Sequence, residues 1–224
     1  LSVAAHQLRT PLGGMRWNME LLLEGDLGKL PKSAKEAIQQ IYDNSERMIL
    51  LVNDLLNVSR IDQSKGREEK VSIDVKKMLS DVIHAMQGEA DRRSVSVIFE
   101  KSKVASFVVM APAKHLYEAF ENLLSNGIKY NKQGGTITIA LKQHKTGFLI
   151  TVSDTGIGIP EDAQSKIFSK FFRAPNAVLK ETEGSGLGLS VVKSYLEEAS
   201  ASIRFESKEN SGTTFFIEFP LSLE

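Results

Sequence analysis

Leu8, Leu12, Met15, Met19 and Leu22 recur at alternating steps of four and three, the seam of a helix that packs on other helices. Ala34, Ile38, Ile41, Ser45, Met48, Val52, Leu55 and Ser59 repeat that spacing in a second helix running through Arg60. Gly25, Asp26, Gly28 and Pro31 interrupt the pattern between them, so the two helices are expected to form an antiparallel hairpin. Two helices alone bury little surface. Seams of this spacing most readily complete a four-helix bundle with a second copy, so a homodimer is expected; the alternative is packing on the chain's own C-terminal part.

The charged stretch from Ser64 to Lys70 lacks a large apolar residue and reads as a linker, giving a hairpin over 1–63, a linker over 64–70 and a second domain over 71–224. Beyond it the period changes. Short β-branched runs at Val95–Phe99, Phe107–Met110, Thr136–Leu141, Phe148–Val152, Ile203–Ser207 and Thr213–Phe219 predict strands. Helical spacing predicts helices over Val75–Ala90, Ala113–Tyr130 and Leu187–Glu198. The polar turn through Gly147 makes an antiparallel hairpin of its flanking strands. The fold class is therefore an α-helical hairpin followed by an α/β sandwich, a mixed sheet with helices on one face.

Charge changes the picture little. The 28 basic and 28 acidic residues cancel, so no overall field gathers nucleic acid or anionic lipid, and any phosphate site must be local. There is no cysteine, and His6, His84, His115 and His144 are too far apart in the chain for a helical zinc pair. No apolar run approaches the roughly 20 residues of a membrane span, so no membrane contact is expected of these residues, and a cytoplasmic location is. The sequence opens at Leu1 inside a helical pattern and reads as a piece of a longer protein, one that an upstream part could anchor to a membrane.

Three motifs carry candidate chemistry, and each taken alone is ambiguous. Asn122, Asn126 and Lys129 share a polar face of their helix, where two amide oxygens one turn apart could meet a hydrated Mg²⁺ and the lysine a phosphate; they could equally be surface residues. Asp154-Thr155-Gly156-Ile157-Gly158 follows a strand, where the carboxylate could accept from an exocyclic amine such as that of adenine, or the run could be a tight turn. Gly184-Ser185-Gly186-Leu187-Gly188 precedes a helix whose free N–H groups suit phosphate. It is neither the phosphate loop with its lysine nor a dinucleotide fingerprint.

In order and spacing these motifs resemble the catalytic core of sensor histidine kinases. His6-Gln7-Leu8-Arg9-Thr10-Pro11-Leu12 is similar to the phosphoacceptor box and Asn122-Leu123-Leu124-Ser125-Asn126 to the first ATP motif. Asp154-x-Gly-x-Gly, Phe168 with Phe171-Phe172-Arg173, and Gly184-x-Gly-x-Gly complete the set. The resemblance covers nearly the whole chain. It implies a Bergerat-type ATP-binding domain, shared with type II topoisomerases and some chaperones, and a hairpin that dimerises. It also implies Mg²⁺ and phosphate at Asn122 and Asn126, phosphate at Lys129, Tyr130 near the adenine, and Asp154 on its amine. Gly156, Gly158, Gly184, Gly186, Leu187 and Gly188 would line the nucleotide, Arg173 would reach the γ-phosphate, and residues 174–183 would form a lid.

The implied activity is ATP-dependent phosphorylation of His6, then transfer to an aspartate of a response-regulator receiver domain. Thr10 would help dephosphorylate that regulator. Related ATPases carry a water-activating Glu where Asn122 stands, and an amide cannot take that proton, so transfer is favoured over hydrolysis. Gln7 departs from the family, whose acidic residue there serves as general base; the alternative is a degenerate kinase that binds nucleotide and regulates a partner without phosphorylating itself. Ala199-Ser200-Ala201 also replaces the usual His-Gly-Gly, so the turn after the last helix is made without glycine.

Overall fold

The computed structural model describes residues 2–45, 48–49, 68–102, 104, 107–182 and 184–220, with the backbone alone for 2–10. It comprises a helical hairpin unit and an α/β unit.

In the hairpin, α1 (Ser2–Glu24) runs through Pro11 without interruption. Gly25 ends it at φ 91, a conformation open to glycine, and the N–H of Asp26 bonds back to the carbonyl of Leu21 at 3.1 Å. Helix α2 covers 32–45 and is helical again at 48–49. Leu12 and Met19 are buried, whereas Met15 and Ile41, on the same two seams, are each 56% exposed. The second seam from Val52 onward, and residues 64–67 of the linker, lie outside the described residues.

The α/β unit comprises β1 (Val71–Asp74), α3 (Val75–Arg92), β2 (Ser96–Phe99), β3 (Val108–Ala111), α4 (Ala113–Lys129), β4 (Thr136–His144) and β5 (Gly147–Asp154). Short α5 (Glu161–Gln164) and α6 (Pro175–Lys180), then α7 (Gly188–Glu198), β6 (Ser202–Lys208) and β7 (Gly212–Pro220) follow. Five strands make a mixed sheet in the order β2-β4-β5-β7-β6, with β2 parallel to β4 and the other pairs antiparallel. Helix α4 packs between α3 and α7, and this layer covers the sheet.

Alternation sets the covered face. Ile139 pairs with Val152, Val152 with Phe215, and Ile150 with Ile217; all five are buried. Asp154 pairs with the fully buried Ile137 and so lies on that same face, at the end of its strand toward the helices. Burying these aliphatic and aromatic side chains contributes about 1.5–3 kcal/mol each.

The segment read as a strand at 107–110 forms at 108–111, but pairs with β1 in a separate two-stranded sheet. Strand β1 itself escapes sequence reading because only Ile73 of its four residues is buried. The turn after α7 is made by Ser200 at φ 59, with Ser200 N–H to Glu197 C=O at 3.0 Å and Ala201 N–H to Leu196 C=O at 2.8 Å. This is the usual glycine turn at a helix end, built on a serine.

Candidate functional site

Helix α4 turns Leu116, Phe120, Leu123 and Leu124 into the core, which leaves Asn122, Asn126 and Lys129 half-buried on its flank. The Nδ2 of Asn122 donates to the carbonyl of Glu118 at 2.9 Å, one turn back, which fixes the amide and leaves Oδ1 to face α7. A Cβ added at Gly188, the first residue of α7, would lie 3.3 Å from Asn122 Oδ1 and 3.9 Å from Asn126 Nδ2. Glycine there keeps the two amides open to the first backbone N–H groups of α7, which no side chain caps among the described residues.

The far end of α4 meets the Asp154 loop. Tyr130 ends the helix, its N–H on the Asn126 carbonyl at 3.0 Å, and its own carbonyl accepts the N–H of Ile157 at 3.0 Å. A side chain at Gly156 would collide with that carbonyl and with Asp154 Oδ1. Asp154 Oδ1 accepts the N–H of Gly156 at 2.8 Å and of Thr213 at 3.2 Å. Burial pushes the Asp154 carboxyl above its usual range, and these two N–H donors pull part of the way back. A largely buried acceptor held by two backbone donors suits an exocyclic amine.

The rest of this loop is laced to the β6–β7 turn. Ile157 C=O accepts from Asn210 N–H at 2.7 Å, Ile159 N–H donates to Ser207 Oγ at 2.9 Å, and Gly158, at φ 61, abuts the Lys208 carbonyl. Asn131, 3% exposed, accepts from Thr155 Oγ1 at 3.2 Å and donates to the Thr136 carbonyl at 3.3 Å beneath the loop.

The expected lid contains a helix. Asn176 of α6 donates from Nδ2 to the Gly158 carbonyl at 2.9 Å, and Arg93 pairs with Glu181 at 2.9 Å. Arg173 donates to the carbonyls of Ala177, Glu181 and Thr182 around the end of α6. Its guanidinium thus braces the end of α6. Gly186, at φ 73, packs on the backbone of Phe171 and Phe172, where a Cβ would come within 2.7 Å. Gly184 has φ 142. Leu187 is 2% exposed, so its side chain belongs to the core and only its backbone can serve a ligand.

Of the three phenylalanines, Phe168 packs edge-on against Phe205 at 5.9 Å, while Phe171 is exposed and holds φ 65, a strained value for an aromatic residue. Sequence reading missed Thr213, Asn131 and Asn176. Thr213 acts through its backbone and carries no signal; Asn131 and Asn176 sit in loops whose partners are remote in sequence.

His6, Gln7 and Thr10 lie on α1 of the hairpin unit, and their side chains are outside the described residues. Among the described residues no three His, Asp or Glu side chains cluster as a metal site, and no helix is long and apolar enough to cross a membrane.

Residues 111–223, half of the chain, match the family model described as histidine kinase-, DNA gyrase B-, and HSP90-like ATPase, and residues 1–64 match the His Kinase A (phospho-acceptor) domain. The chain belongs to the sensor histidine kinases. This sensor histidine kinase core is 30% identical over 98% of its length to the circadian input-output histidine kinase CikA of Synechococcus elongatus, of which it covers 29%. It is 32% identical over 96% of its length to the sensor protein kinase WalK of Staphylococcus aureus, covering 52% of that protein. The chain thus spans about half the length, or less, of these curated relatives. The catalytic domain of the histidine kinase ThkA superposes with a TM-score of 0.58 at 27% identity, over 68% of this chain and 95% of that one. Full-length ShkA, solved with AMPPNP, shares the fold with a TM-score of 0.75 at 22% identity, over 98% of this chain and 45% of its own.

Proposed function

We propose that this chain is an ATP-dependent protein-histidine kinase that phosphorylates His6 and passes the phosphoryl group to an aspartate of a response-regulator receiver domain. The observation that carries this reading is that α4 sets Asn122 against Gly188 at the start of α7 and, at its C-terminal end, sets Tyr130 against the loop of a doubly held Asp154. In the proposed roles Asp154 accepts from the adenine amine and Tyr130 and Lys129 flank the nucleotide. Gly156, Gly158, Gly184, Gly186 and the backbone of Leu187 allow close approach to it.

The amide oxygens suit Mg²⁺, a hard cation that takes one or two protein oxygens beside phosphate; with Asn122 Nδ2 held by Glu118, its Oδ1 is the free acceptor. Asn122 and Asn126 would hold it, and when bound it neutralises charge on the phosphates. Asn122 offers no base for water, which leaves the γ-phosphate for a better nucleophile. One imidazole nitrogen of His6 bonds to the γ-phosphorus as the bond to the β-phosphate oxygen breaks and ADP leaves. The proton on the other ring nitrogen goes to water, because Gln7 can orient the ring but cannot accept a proton.

Half-exposed Met15 and Ile41 on the hairpin seams support a homodimer, in which a second copy would cover them. In the same reading this part of the protein is cytoplasmic and Thr10 helps remove phosphate from the regulator.

Incubation with γ-labelled ATP tests the reading. Expected is an acid-labile, base-stable label that His6→Ala abolishes. Bound nucleotide without label under every Mg²⁺ condition would replace it with the degenerate regulator.

A further inference from the structure

A polar network joins the end of α4, the start of β4 and the loop after Asp154, and no step above uses it. Thr155 is clasped to Thr136 twice: its N–H donates to the Thr136 carbonyl at 3.1 Å, and its Oγ1 accepts the Thr136 N–H at 2.9 Å. Because Oγ1 already accepts from an N–H there, its own hydrogen goes to Asn131 Oδ1, at 3.2 Å. That Oδ1 also accepts the Lys132 N–H at 3.0 Å, and Asn131 Nδ2 donates to the Thr136 carbonyl at 3.3 Å. Both ends of the buried Asn131 amide are therefore in use. A Cβ at Gly135 would collide with Asn131 Oδ1, so the corner accepts only glycine beside the amide.

Place in the chain gives this network a consequence. Thr155 follows Asp154 directly, and Ile157, two residues on, donates its N–H to the Tyr130 carbonyl at 3.0 Å. Residues 155 and 157 are thus pinned to residues 131 and 130 at the end of α4. Between them lies Gly156, whose N–H holds Asp154 Oδ1 at 2.8 Å. The helix that carries Asn122 and Asn126 in this way also sets the loop that aims Asp154. Apolar contacts can hold a loop down without fixing where a carboxylate points, whereas a chain of directed, mutually satisfied bonds fixes both.

We propose that Asn131 and Thr155 are positioning residues for base recognition: by pinning the loop to the end of α4 they aim Asp154 at the exocyclic amine and so set the preference of the site for adenine. The inference rests on the ATP-binding reading above, in which Asp154 accepts from that amine.

Titration of the full chain, with Mg²⁺, against ATP and against purine riboside triphosphate tests it; the second nucleotide is ATP without the exocyclic amine. Loss of folded protein weakens both nucleotides alike, so the ratio of their affinities reads the aim of Asp154 and not stability. Thr155→Val keeps the shape and loses the hydroxyl, and should cut the preference for ATP roughly twofold to thirtyfold, the range for mutations that act through coupling. Asn131→Ala, which takes the acceptor from that hydroxyl, should act in the same direction, and either variant decides if the other fails to fold. Thr155→Ser keeps the hydroxyl and should keep the preference of the unmodified chain. Ile73→Ala, in the small sheet, should lower Tm and keep it too. The proposal is overturned if Thr155→Val or Asn131→Ala leaves the preference unchanged, if Thr155→Ser loses it as Thr155→Val does, or if Ile73→Ala lowers it as much. An unmodified chain that binds both nucleotides equally, or neither, would instead sink the underlying reading of Asp154.

Discussion

Asp154 and Thr213 stand 59 positions apart in sequence, yet the backbone N–H of Thr213 reaches Asp154 Oδ1 at 3.2 Å. The carboxylate is oriented by β7, and its burial raises its pKa above the ordinary 3.8. Between that ordinary value and the raised one, the folded chain holds a proton that the unfolded chain has released. Stability from this group therefore rises as pH falls through the interval, and the ionised carboxylate is a penalty above it.

Asp154→Asn should thus separate stability from binding. The amide oxygen still accepts both N–H groups, so the nucleotide-free Tm at neutral pH should stay level or rise. ATP affinity should fall about tenfold to a hundredfold, the value of a hydrogen bond to a charged acceptor. Calorimetry with and without ATP reads both quantities, and a lower nucleotide-free Tm would contradict the assignment of burial as the larger effect.

Gly186 and Gly188 should respond to alanine in opposite ways. At Gly186 the φ of 73 and the backbone of Phe171 and Phe172 leave no room, so Gly186→Ala should destabilise by about 1–3 kcal/mol. Gly188 begins α7 with ordinary helical geometry, so Gly188→Ala should leave Tm level or slightly higher. Its methyl would press on Asn122 Oδ1 at 3.3 Å and weaken ATP binding several-fold. Urea titration and nucleotide binding on the two variants distinguish these outcomes.

Ser200 holds φ 59 in a turn that glycine ordinarily makes. A left-handed conformation costs a residue with a Cβ about 1–2 kcal/mol, part of which glycine returns as entropy of the unfolded chain. Ser200→Gly should therefore raise stability by about 0.5–1 kcal/mol without changing ATP affinity. A Tm that stays level or falls would show that the serine is not strained there.

Most of the main sheet and its three long helices were legible because each buries one face and so writes its period into the sequence. Ile137, Ile139 and Leu141 alternate on β4, and Leu116, Phe120, Leu123 and Leu124 mark one side of α4. Helix α6 was not legible for the converse reason: it buries no residue, so nothing periodic betrays it. Asn122 and Asp154 could be picked out by their neighbours in the chain. Thr213 and Asn176 could not, since one holds the site by its backbone and the other by a single bond to the Gly158 carbonyl. The carbonyl partners of Arg173 could not be read either, because backbone acceptors leave no trace in residue identity.

Gln7 remains the residue on which the rate of the proposed reaction turns. As the His6 ring bonds to phosphorus it becomes a cation unless its second nitrogen gives up a proton, and an amide neighbour cannot receive one. A carboxylate at the same position would both orient the ring and take the proton. General-base assistance is typically worth about 10²–10⁴ in rate, so Gln7→Glu should speed His6 labelling by up to that range, while ATP affinity, set in the other unit, stays the same. Labelling followed over time at saturating ATP checks this. An unchanged or slower rate would mean that proton removal does not limit the reaction.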